Sequence, residues 1–268
     1  MRDYRFDVAR VVCMTIIVVY VHLYAYIHPE VKSAYFIPAW AIITDACLGL
    51  FTFVSGFLLG KKYCFGPDGN SKVGEFYRKR SLRIIPLFVI AAIALWAIGF
   101  NGTRATFNGL VCISPFIKPR PQTLWYIPVI LFCYIITPLI SRRQLKWRVW
   151  SCLFVFCLLI LLSKLLPSVD NRLGYNSFFF LVGIISSNSF DWKFNVRYGT
   201  AAKWFVLVLF TLLLVIGQVY ANFHLKYYRW LAAGIGVFAI LFICEYIANI
   251  LFSSGKGDSK SIAAQMVR

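Results

Sequence analysis

WFVLVLFTLLLVIGQVYAN, residues 204–222, runs for 19 residues without a charged side chain. As a helix it measures about 28 Å at 1.5 Å per residue, close to the roughly 30 Å hydrocarbon core of a bilayer. Within a single segment only a helix satisfies its own backbone in lipid, so the run reads as a transmembrane helix. Working outward, the same reasoning picks 6–27, 37–60, 84–101, 124–141, 149–167, 175–189 and 230–253. The stretch 175–189 is short for a full crossing and is expected to be tilted, re-entrant or half-buried in protein. The fold class is therefore all-α: a polytopic membrane helical bundle with about eight transmembrane helices.

Composition agrees. Of 268 residues, 60% are hydrophobic and 14% charged, with a mean hydropathy of +0.73. A soluble domain is nearer half apolar and a quarter charged. The net charge of +18 raises nucleic acid as a partner. That is set aside, because the basic residues sit in short loops between apolar runs; the lipid bilayer is the expected partner. The first apolar stretch is too long for a signal peptide and has no small-residue cleavage site after it. Neither a repeat nor a linker divides residues 1–268, which read as one integral membrane domain.

Lys and Arg orient the bundle. The N-terminus, loop 61–83, loop 142–148, segment 193–203 and the C-terminal tail hold 2, 7, 4, 3 and 3 of them, and Arg10 adds one more. The alternate loops hold 8 in all. The bias places both termini in the cytoplasm, as an even number of spans requires. Trp40, Trp125, Trp147, Trp150, Trp204 and Trp230 fall near span ends, where amphipathic rings anchor at an interface. The eight cysteines lie mostly inside apolar runs, without CxxC or Cys/His spacing. They read as small buried hydrophobes, and no metal is expected.

Charged or titratable groups inside spans are functional candidates. These are Asp7, Arg10 and His22 in span 1, Asp45 in span 2 and Glu245 in span 8. Asp7 and Arg10 lie one turn apart, which also suits a simple ion pair. Asp45 and Glu245 are equally suited to bonding a neighbouring helix or a span-end cation. His22 stands in an otherwise apolar helix, VVCMTIIVVYVHLY (11–24), and a neutral imidazole accepts a proton near physiological pH, as a general base must. Arg10 and His22 are twelve positions apart, about 18 Å along an α-helix, so Arg10 sits near the cytoplasmic face and His22 toward the outer half. Loop 61–83 ends in Arg78, Lys79, Arg80 and Arg83. Arg80 and Arg83 share a helical face, and forked guanidinium groups suit phosphate; the same cluster also suits anionic lipid.

Several segments together resemble the acyltransferase-3 family of membrane O-acyltransferases. FDVARVVCMTIIVVYVH (6–22) is similar to its opening helix, with Asp-x-x-Arg followed by an intramembrane His. LFTFVSGFLLG (50–60) resembles its Phe-rich segment ending in Ser-Gly-aromatic, and FYRKRSLRIIP (76–86) its basic start to the third helix. LWYIPVILFCYIITPLI (124–140) and FFFLVGIISS (178–187) resemble its later helices. The resemblance implies a bacterial cytoplasmic membrane enzyme. It would move an acyl group, usually acetyl from acetyl-CoA, to a sugar hydroxyl of a cell-surface or lipid-linked glycan. It implies that His22 is the catalytic histidine and Arg10 its partner beside Asp7. It further implies that Arg80 and Arg83, with Arg78 and Lys79, contact the phosphates of the acyl-CoA. Ser55-Gly56-Phe57 then reads as a packing element.

Two departures sharpen the expectation. The family usually leaves ten residues between Arg and His; here there are eleven. The extra position rotates His22 by about 100° away from Arg10's face, and a π-bulge in span 1 would absorb it. Family members usually have about ten spans, so an eight-span chain is expected to be a short or C-terminally truncated member. The competing function is a transporter or flippase in which Asp45, His22 and Glu245 form a proton relay or substrate path.

Overall fold

Apolar runs become helices over every segment that the computed structural model describes: residues 4–22, 38–63, 73–141, 145–189, 196–219 and 226–253. The helices are α1 (Tyr4–Ile16, continued by a π-helical segment Ile17–His22), α2 (Pro38–Lys62), α3 (Val73–Ala97) and α4 (Thr103–Leu110). They are followed by α5 (Tyr126–Ser141), α6 (Leu145–Leu165), α7 (Asn171–Ser189), α8 (Val196–Val219) and α9 (Lys226–Ser253). No strand occurs among the described residues. The described part of each of the eight runs picked from the sequence falls mainly on a helix, while 23–27, 37 and 220–222 lie outside the described residues; α4 is additional. By length and apolarity together, Ala39–Lys62, Val73–Ala97, Lys146–Leu165 and Tyr228–Ala248 qualify as membrane spans, with Tyr126–Pro138 and Ala201–Ile216 as shorter apolar segments.

The largest boundary shift is in α3. It starts at Val73, eleven residues before the predicted span, so the Arg78–Arg83 cluster is helical throughout. Its end is a Schellman motif. Gly99, at φ +74°, donates to the Trp96 carbonyl, and Phe100 donates back to Leu95, both at 2.9 Å. A left-handed residue is needed there, and glycine takes it without strain.

The chain divides into two compact units, residues 1–51 with 194–268, and residues 52–193. In the first, α1 buries Phe6, Ala9, Cys13 and Ile17, a stripe at helical spacing, and packs on α9. α9 also packs on α8. Its contact face is built of small residues, among them Ala232, Ala233 and Gly236. A Cβ on Gly236 would come within 2.8 Å of both the Phe210 ring and the Ala46 methyl. Without a hydrophobic drive between helices in lipid, such close backbone packing is what holds them together.

The second unit uses the same device between α2 and α7. Gly56 and Gly60 on one helix face Gly183 and Ser187 on the other, both pairs at small-x-x-x-small spacing. A Cβ on Gly56 would run into the Phe180 carbonyl, and one on Gly183 into the Phe53 carbonyl. Ser55-Gly56-Phe57 and FFFLVGIISS thus meet as packing surfaces. By contrast, only 11% and 17% of the apolar windows of α3 and α6 are buried, against 78% for α2, so α3 and α6 present their Leu, Ile and Trp side chains outward to lipid.

Candidate active site

One group of candidate residues stands on α1, in the unit of residues 1–51 and 194–268. Asp7 and Arg10 are half-buried, one turn apart, with Arg10 flanking the stripe on the helix that packs on α9. Beyond Ile16 the hydrogen bonding changes from i→i+4 to i→i+5, and the π-helical segment ends at His22. A π turn takes up one extra residue, so the twelve positions from Arg10 to His22 turn through about the angle of eleven α-helical ones, roughly 1,100°. The Cα of His22 is thereby returned to within about 20° of Arg10's face. Only the backbone of His22 is described.

A separate group occupies the first three turns of α3, in the unit of residues 52–193. Phe76 is buried, with its ring 4.9 Å from Tyr63 and 6.4 Å from Tyr134. The Tyr77 hydroxyl donates to the Ile135 carbonyl of α5 at 2.8 Å. This aromatic clasp fixes the helix, and Arg78, Lys79 and Arg83 project from it exposed. Lys79 pairs with Glu75 one turn earlier, which takes up its charge. Arg80 is half-buried, its guanidinium 5.4 Å from the centre of the Tyr134 ring, an arrangement that orients the fork without neutralising it. Arg80 and Arg83 remain on one face as the spacing predicts.

Two of the intramembrane acids have structural partners. Arg229 of α9 donates from Nε to Asp45 at 2.6 Å, and Lys203 of α8 donates to Glu245 at 2.7 Å. Of the cysteines in the apolar runs, Cys13, Cys47, Cys133, Cys152 and Cys244 are buried and Cys157 is exposed. No cluster of three His, Cys, Asp or Glu side chains able to hold a metal occurs among the described residues.

The sequence reading missed a third cluster, on the connections α3–α5 and α6–α7. Asp170, 8% exposed, receives Arg172 through both carboxylate oxygens, with Nη2 at 2.7 Å and Nε at 3.0 Å from Oδ2. Arg120 Nε lies 3.5 Å from the same carboxylate and donates to the Ser114 carbonyl at 3.0 Å. Its Nη2 donates to the Ser168 carbonyl. Burial pushes the Asp170 carboxyl up, but the hydrogen bonds and charge of Arg172 outweigh it and hold the group below the ordinary carboxylate range. Arg172 also lies flat on Trp125, 3.9 Å from its ring centre, so this tryptophan is a buried platform (8% exposed) rather than an interfacial anchor. A signal was present in the sequence: four of the eight cations that the charge bias leaves outside are Arg104, Lys118, Arg120 and Arg172.

The family model described as an acyltransferase domain matches residues 3–255 of this chain. No curated protein matches it, and no solved structure does.

Proposed function

The chain belongs to the acyltransferase-3 family, and from that premise we propose that it moves an acetyl group from cytoplasmic acetyl-CoA to a sugar hydroxyl of a cell-surface or lipid-linked glycan in the bacterial cytoplasmic membrane, with both termini cytoplasmic. His22 is the general base. It takes the proton of the acceptor hydroxyl as that oxygen attacks the thioester carbonyl. The C–O ester bond forms, the C–S bond breaks, and the proton passes from the imidazolium to the departing CoA sulfur. Arg10, beside Asp7, is the positioning partner of His22. Arg80 and Arg83 hold the phosphates of the donor, with Arg78 nearby and Lys79 secondary because of its Glu75 pair.

The observation that carries this reading is the π-helical segment Ile17–His22. It lies where the one-residue excess between Arg10 and His22 needs absorbing, and π-bulges of this kind recur at functional sites. The transporter reading needs acids available for a relay, whereas Asp45 and Glu245 each hold a cation. In the test, His22→Ala is expressed in the same membrane, and acetylated saccharide is measured by mass spectrometry after supplying labelled acetyl-CoA. Acetyl transfer is expected to fall by about 10²- to 10⁴-fold. Unchanged transfer by a correctly inserted variant overturns the assignment. Deleting Val18 restores the eleven-position spacing in a plain α-helix and is expected to keep transfer within about threefold.

A further inference from the structure

The cations around Asp170 border two adjoining cavities. One, of about 610 Å³, is lined by Lys118–Gln122 and Arg172. The other, of about 400 Å³, is lined by Phe100–Ala105 and shares Pro119, Arg120 and Gln122 with the first. Arg104, Lys118, Arg120 and Arg172 thus stand against a single carboxylate, Asp170. Arg120 is engaged as a clamp between loops, and Arg172 is bound to Asp170 and Trp125. Arg104 and Lys118 form no ion pair among the described residues. Beside them α4 begins at Gly102, in extended conformation (φ −66°, ψ 153°), without a side-chain cap. Gly102 to Ala105 at this start line the smaller cavity, and the dipole at this end of the helix favours an anion.

Cations on the external side of a membrane protein run against the charge bias that orients it. Half of those left outside line the two adjoining cavities, Lys118 and Arg172 the larger, Arg104 the smaller and Arg120 both, with little acid among the described residues to balance them; the charge suits an anionic ligand. The cavities are of the size that holds a small ligand, and their floor is rigid. Asn108 Nδ2 donates to the Pro119 carbonyl at 2.9 Å, and the Gln122 amide donates to Asn101 Oδ1 at 3.1 Å. We infer that this is a binding site for a phosphate-bearing saccharide, the acceptor that the proposed transferase would modify. Arg104 and the start of α4 on the smaller cavity, and Lys118 on the larger, supply the positive charge for the phosphate, and the Arg120–Asp170–Arg172–Trp125 assembly braces the loops beside them. The inference rests on the glycan-acceptor reading above, but its test needs neither acyl-CoA nor turnover, so the two fail separately.

The test is calorimetric titration of the full chain, in nanodiscs of phosphatidylcholine, with glucose 1-phosphate and with glucose. Wild type is expected to bind the phosphate ester and not the neutral sugar. Arg104→Gln with Lys118→Gln should weaken binding by about tenfold or more, each single variant by about threefold, and Lys118→Arg should retain it. The exposed single variants keep the test valid if the double variant does not fold. Equal affinity of wild type and variants, or no binding by wild type, overturns the inference. Repeating the titration with phosphatidylglycerol in the nanodiscs separates the two sources of phosphate. If that lipid competes away glucose 1-phosphate in wild type but not in Lys118→Gln, the site takes a lipid headgroup and the saccharide assignment is wrong.

Discussion

The two units differ in how much of their charge is paired among the described residues. In the unit formed by residues 1–51 and 194–268, the acids Asp45 and Glu245 each meet one cation from another helix, Arg229 and Lys203. In the unit of residues 52–193, cations exceed acids at both ends of the sequence-assigned topology: Arg78, Arg80 and Arg83 on α3, and Arg104 and Lys118 around the external cavities. A charge placed in or near lipid is tolerated when it is matched, and a matched pair needs no ligand to explain it. Cations that meet no acid among the described residues are available to an anion. The difference separates structural charges from ligand-binding ones, and it predicts that removing the former lowers stability while removing the latter lowers affinity.

The sharpest break of that contrast is in Lys203–Glu245, where the carboxylate side chain is 15% exposed and the ammonium 30%. Glu245→Ala leaves Lys203 uncompensated among apolar side chains. After discounting for partial exposure we expect a loss of about 2–3 kcal/mol, read as the thermal midpoint of the detergent-solubilised protein. Replacing both partners, Lys203→Met with Glu245→Leu, should bring stability back to within about 1 kcal/mol of wild type. If the double variant is as damaged as Glu245→Ala, the pair is not simply matched, and a relay through Glu245 returns as a reading.

Among the described residues Asp170 is the acid of the cation-rich cluster, and it holds Arg120 and Arg172 together. Asp170→Asn should cost about 1–2 kcal/mol at neutral pH, because Arg172 and Arg120 lose a shared acceptor. The pH dependence follows from the sign of its shift. Its folded-state pKa lies below the ordinary 3.8, so the wild-type advantage is complete above that value and is lost as pH falls through the lower folded pKa. Thermal midpoints of wild type and Asp170→Asn should therefore stay apart down to about pH 4 and converge only below it. Convergence already at pH 6 would place the dependence on another group.

Most of the helical fold was legible because lipid imposes a strong rule: nineteen uncharged residues such as 204–222 leave the backbone few options. The start of α3 was less so. Hydropathy sees apolarity, whereas the first turns of α3 are held by Phe76 and Tyr77 against α5 and carry their cations outward. The π segment before His22 was anticipated only by joining the family resemblance, which pairs Arg10 with His22, to the arithmetic that a spacing of twelve does not put both on one face of a straight α-helix. Long-range pairings were not: Asp45 finds Arg229 across 184 positions and Lys203 finds Glu245 across 42, distances that no local pattern encodes. The external cluster stayed hidden because each of its cations alone is an ordinary loop residue.

Asp45–Arg229 tests a milder match. Arg229 is 49% exposed, so water already screens part of the pair. Asp45→Asn keeps a hydrogen-bond acceptor and should cost less than about 1 kcal/mol. A larger loss would make this pair as critical as Lys203–Glu245 despite its exposure.

The smallest stability change is expected at the unmatched cations of α3. Arg83 is exposed, and Arg80 leans on Tyr134 without an acid that its removal would strand. Arg80→Gln with Arg83→Gln should therefore leave the thermal midpoint within about 0.5 kcal/mol of wild type. In the same preparation, affinity for coenzyme A should fall by about ten- to a hundredfold, because two forked contacts to phosphate are replaced by neutral amides. Coenzyme A protection of the wild-type protein against thermal unfolding should shrink accordingly, and added salt should reproduce part of the loss. Were stability to drop while affinity held, these arginines would belong with the matched charges, and the division between structural and ligand-binding cations would fail where it matters most for the proposed chemistry.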